Sequence, residues 1–255
     1  MSNQAENDQR ATAAYQAYCE QEIAQIVPRL HSGGWATYDT RRPEFAELKA
    51  AGEKWVAEFV PGKSRGIRFC GVVGCGKTRV GYAIVEAVIR RGMANGMRRL
   101  PRVSAINTAD LFAQIRLCWD SREHSEDALF EDLLDNDLLF LDDLGVESSR
   151  EKVVRDYVLD RLYLLLDRAQ RAMTPTLIVS SNMGLDRLRK FYGAGNGERI
   201  ISRLEQMTEL FGKFPKADLR RGGELKNAGS AVEILPVDGP KKPHGAFQRT
   251  LARKR

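Results

Sequence analysis

The residues Gly71-Val-Val-Gly-Cys-Gly-Lys-Thr78 fit the spacing G-x-x-x-x-G-K-[ST], and that spacing has a chemistry. Gly71, Gly74 and Gly76 let the backbone curl so that successive N–H groups point inward at phosphate oxygens. Lys77 carries a cation to the β- and γ-phosphates of a nucleotide, and the Thr78 hydroxyl is a ligand for Mg²⁺. A candidate strand, Gly66–Cys70, precedes the loop, and a candidate helix, Lys77–Arg91, follows it. The N-terminus of that helix offers unpaired N–H groups and a dipole that favour an anion. Cys75 inside the loop has two readings: a redox-sensitive thiol, or a side chain turned away from phosphates held by backbone.

A nucleotide site also needs an acid at the end of a buried strand, beside the loop. Leu138-Leu-Phe-Leu-Asp-Asp143 supplies one. Asp142 would hold Mg²⁺, and Asp143 would orient and deprotonate the attacking water. Thr176-Leu-Ile-Val-Ser-Ser-Asn182 is a second strand ending in a polar group. The Asn182 amide there either contacts the γ-phosphate or lytic water, or caps the next helix. Arg199 and Arg203 stand four apart, on one helical face. Such a pair is either part of a solvated surface or a finger reaching a neighbouring subunit's phosphate.

The elements that must position these groups alternate. Helical periodicity is expected over Ala11–Val27 and Pro43–Phe59, before the loop. Beyond it, strands are expected at Arg102–Ile106, Leu138–Leu141 and Thr176–Ser180. Helices are expected at Ala109–Leu117, with Thr108 as N-cap, and at Glu151–Ala169, Leu185–Phe191 and Glu198–Met207. Alternating βα units predict a parallel sheet covered by helices. Residues 1–10 are polar and expected to fray.

Four motifs in this order resemble the AAA+ ATPases, and the stretch from Pro43 to Arg220 resembles the DnaC/DnaI-type replicative helicase loaders. The resemblance rests on Gly71–Thr78, Ala109-Asp-Leu-Phe112 with Arg116, Leu138–Val146, Ser180-Ser-Asn182, Arg199–Leu204 and Asp218-Leu-Arg220. It implies a three-layer α/β P-loop fold, ATP and Mg²⁺ as ligands, and ATP hydrolysis, which Asp143, one methylene shorter than the family's usual Glu, would slow. It makes Asn182 a sensor, Arg203 the finger and Arg220 a second sensor. It also matches Arg116–Glu126 to an insertion that family members use near single-stranded DNA. Residues 1–42 would then be a helical adaptor for a DnaB-type replicative helicase, 43–220 the AAA+ domain and 221–255 a basic tail. ATP would drive homo-oligomer assembly. The chain departs from the family in carrying Asp143 where most members have Glu, and in lacking a cysteine cluster for an N-terminal zinc module.

IstB-type transposition helpers share this core, with a transposase as partner. A P-loop kinase would need an arginine-rich lid and an acceptor pocket, and a nucleotide switch would bind without turnover. Composition narrows the rest. Cys19, Cys70, Cys75 and Cys118 are scattered, against a zinc site. Free thiols and a polar start fit a cytoplasmic protein with no membrane span. The net charge of +6 sits almost wholly in the last 35 residues. Those residues hold eight Lys/Arg against three Asp/Glu, as a phosphate-attracting or a solubilising tail. In the core, DNA contact would fall to local patches such as Arg116 and Arg122.

Overall fold

The computed structural model describes residues 2–92, 100–120, 125–145 and 152–219. In chain order the helices are α1 (Ser2–Ile26), α2 (Pro43–Glu58), α3 (Lys77–Arg91), α4 (Thr108–Asp120), α5 (Glu126–Leu134), α6 (Lys152–Ala172), α7 (Leu185–Tyr192) and α8 (Asn196–Met207). The strands are β1 (Gly66–Cys70), β2 (Val103–Asn107), β3 (Leu138–Leu144), β4 (Thr176–Ser181) and β5 (Thr208–Leu210). All ladders are parallel, in the order β2-β3-β4-β1-β5.

The expected α/β fold, with a parallel sheet between helical layers, is what the chain adopts. Strand β3 shows how. Leu138 and Phe140 enter the core shared with α1, α2 and α3, and Leu139 and Leu141 enter the core shared with α4 to α8. A strand buried on both faces must be apolar without alternation, which is why β3 reads as a solid run. At its C-terminal end the register against β4 shifts between Leu141 and Leu144, and Asp143 takes φ 57°. The irregularity takes the two aspartates out of the β3–β4 ladder at the sheet's carboxyl edge, while Asp142 stays paired with Asn107 of β2.

Several expectations need correction. Helix α1 starts at Ser2, so the polar start is helical. Its Cys19 and Ile23, with Val27 just beyond its end, join the α2–α3 core. Thr108 does not cap α4 with its hydroxyl. That hydroxyl donates to the Asp142 carbonyl at 2.8 Å, while Asn107 Oδ1 accepts from the Ala109 N–H at 2.9 Å. Helix α5 and strand β5 had no counterpart in the expected elements. Arg122, Arg220 and the tail 221–255 lie outside the described residues. Among the described residues no helix is long and apolar enough to cross a membrane.

Candidate nucleotide site

The carboxyl ends of β1, β3 and β4 lie side by side, so the groups that follow them converge. Lys77 is buried, and its ammonium donates to Gly71 O and Val72 O at 2.9 Å each and to Asn182 Oδ1 at 2.7 Å. The Asn182 carboxamide is therefore in the loop. Helix α7 is preceded instead by Gly184, without a side-chain cap, so the capping alternative falls away.

Across the loop, Thr78 Oγ1 donates to Asp142 Oδ1 at 3.1 Å. Ser180 Oγ donates to the same oxygen at 2.5 Å and accepts from the Asp143 N–H at 2.9 Å. Burial pushes the Asp142 carboxyl up to about 6, against the pull of the Ser180 donor, and the neighbouring Asp143 charge adds to the rise. A buried carboxylate short of positive charge, paired with a hydroxyl, is an oxygen donor set suited to a hard cation. Thr78 and Asp142 thus fit Mg²⁺.

The thiol of Cys75 is fully buried, 3.7 Å from Lys77 Nζ. Burial raises its pKa, the opposite of what a reactive thiolate needs. The reading of a side chain turned inward from the phosphates therefore stands over the redox one.

Around this centre lies a cleft of about 410 Å³. It is lined by Gly74, Gly76, Lys77, Thr78, Asp143 and Asn182 on one side, and by His31, Thr37, Tyr38, Asp39 and Phe45 on the other. Leu219 closes one edge, and its N–H donates to Gly74 O at 3.1 Å. The 31–45 wall was not expected from the sequence, and Ser180 and Leu219 stood in quoted motifs without a role of their own. A serine inside a strand and a remote loop carry no local mark of such a role.

Arg199 and Arg203 do not line this cleft. Both guanidiniums lie over the Tyr163 ring, at 5.5 and 5.7 Å from its centroid. Arg203 also pairs with Asp167 at 2.9 Å. Arg116 is exposed on α4, near the exposed Leu117 and Trp119.

No family model matches the chain. Over 160 residues it is 29% identical to the replicative helicase loader DnaC of Escherichia coli (strain K12), covering 62% of this chain and 57% of that protein. DnaC of Shigella flexneri matches to the same extent. The chain thus spans little more than half the length of these curated relatives. Among solved structures, that of DnaI has a TM-score of 0.57 at 20% identity, covering 75% of this chain and 95% of that one. The DnaC helicase loader has a TM-score of 0.57 at 21% identity, covering 72% and 98%. Motif order and these matches agree: the chain is similar in sequence to the DnaC-type replicative helicase loaders and in fold to DnaI and DnaC.

Proposed function

We propose that the chain binds ATP with Mg²⁺, hydrolyses it slowly, and uses that cycle to load a ring-shaped replicative helicase onto single-stranded DNA. The observation that carries the reading is one connected constellation. Lys77 is bonded to Asn182 and Thr78 to Asp142, with Lys77, Thr78 and Asn182 lining one cleft and Ser180 holding Asp142 from beneath.

In this reading the curled loop and the α3 N-terminus bind the phosphates. Lys77 exchanges its loop carbonyls for phosphate oxygens. Asn182, already in reach of that ammonium, positions the γ-phosphate end. Thr78 and Asp142 would hold Mg²⁺, which would supply neutralising charge to the phosphates. Asp143 accepts a proton from the attacking water, aimed by its left-handed backbone and the Ser180 contact. Tyr38 and Phe45 offer an aromatic wall to the base. In an ATP-bound homo-oligomer Arg203, which lies outside its own cleft, would leave Asp167 to reach a neighbouring subunit's phosphate. Arg220 acts as a second sensor on the same nucleotide.

The partners follow from the likeness to the DnaC loaders: a DnaB-type helicase and single-stranded DNA, in a cytoplasmic setting. The test is helicase transfer onto circular single-stranded DNA by the full chain, with ATP. Wild type should load the helicase, and Lys77→Ala should not. Loading by Lys77→Ala at the wild-type level contradicts the site. Capture of a transposase in place of the helicase contradicts the partner and favours the IstB-type role.

A further inference from the structure

Arg79 follows Thr78 in the first turn of α3, and its guanidinium reaches the segment between α1 and α2. It donates to His31 O, to Ser32 O at 3.0 Å, to Gly34 O at 3.3 Å and to Thr37 Oγ1. These four acceptors span seven residues of a segment that bends through Gly33 and Gly34, at φ 91° and 47°. One guanidinium fork therefore fixes the path of the whole bend.

The same segment contributes His31, Thr37, Tyr38 and Asp39 to the cleft. His31 also stacks on Tyr82 of α3, with centroids 5.4 Å apart. Upstream, α1 is fastened to the far end of α3. The Tyr15 hydroxyl donates to Ile89 O at 2.7 Å, and Arg90 bridges Glu20 and Glu86 at 2.7 and 2.9 Å. The segment is thus held between two anchorages on one helix, and its inner side is a wall of the phosphate cleft. Leu30, 86% exposed, stands on its outer side.

We propose that Arg79 is a positioning residue that holds segment 31–38 as the cleft wall and so links nucleotide occupancy to the N-terminal helix. The inference rests on the nucleotide reading above. A ligand that touches the phosphate loop and the Tyr38–Asp39 wall together must draw the two together. Arg79 is the covalent neighbour of one and the hydrogen-bond partner of the other. Ordering of the wall is passed to α1 through residues 27–31.

The test is hydrogen–deuterium exchange on the full chain, with and without a Mg²⁺-bound non-hydrolysable ATP analogue. It is run on wild type, Arg79→Ala and Arg79→Lys, with analogue affinity measured in parallel. In wild type the analogue should slow exchange over 71–78, over 31–38 and in the 15–23 part of α1. In Arg79→Ala, affinity should fall about tenfold, the scale of losing charge-assisted hydrogen bonds. At saturating analogue its 71–78 protection should remain while protection over 31–38 is lost. Arg79→Lys keeps the charge and stem without the fork, and should restore only part of both effects.

If wild type is protected over 71–78 but unchanged over 31–38, the coupling is wrong and the nucleotide site stands. Full 31–38 protection in Arg79→Ala overturns it equally. If wild type shows no protection over 71–78, the nucleotide reading fails first and takes this inference with it.

Discussion

Asp143 combines a catalytic reading with an unusual backbone. Its φ of 57° is a region that Asn and Asp tolerate better than other side chains. Asp143→Asn should therefore fold with an unchanged melting temperature and still bind Mg-ATP. Its kcat should fall by about 10²–10⁴, the usual worth of a positioned base. A kcat near wild type would remove Asp143 from the chemistry. Ser180 is fully buried between the two aspartates. Ser180→Ala leaves the Asp143 N–H without its side-chain acceptor and should cost about 1–3 kcal/mol in a denaturant titration. Lys77, Thr78, Asp142 and Asn182 were legible because their types and spacing state their chemistry. Ser180, Arg79 and Tyr38 were not, because each acts on a partner far away in the chain.

At the scale of elements, the separation of α3 from β3 sets the site's width. Gly81 of α3 lies on the Phe140 ring, which occupies the space a Cβ would need. Gly81→Ala should destabilise the fold by about 1–3 kcal/mol through overpacking. It should also weaken nucleotide binding by moving Thr78 from Asp142. Calorimetry and nucleotide titration check both, and an unchanged affinity would mean that the spacing is not critical.

The central strands were legible as short apolar runs between turn signals. Strand β5 was not, since three residues acquire strand character only by pairing with β1. Helix α5 did carry a signal. Ser125 Oγ accepts from the Ala128 N–H at 3.3 Å, with Glu126 and Asp127 in the first turn. Assigning Arg116–Glu126 to an insertion hid that start. At Thr108 the tertiary bond to Asp142 O won over a local cap.

At the scale of the whole molecule, Arg199 and Arg203 stand apart from the phosphate cleft, on the face where α8 packs on Tyr163 and Asp167 of α6. If Arg203 completes a neighbour's site, a mixture of Arg203→Ala and Lys77→Ala subunits should recover ATPase activity that neither has alone. A mixed oligomer contains composite sites with both residues intact. No recovery would leave Arg203 as a partner for Asp167 within its own chain. The central claim, that Lys77 and its neighbours form an ATP site, is tested most directly by calorimetric titration of Mg-ATP into wild type and Lys77→Ala. Saturable, Mg²⁺-dependent binding in wild type and its loss in Lys77→Ala is the expected result. Equal binding by both proteins, or none by wild type, would contradict it.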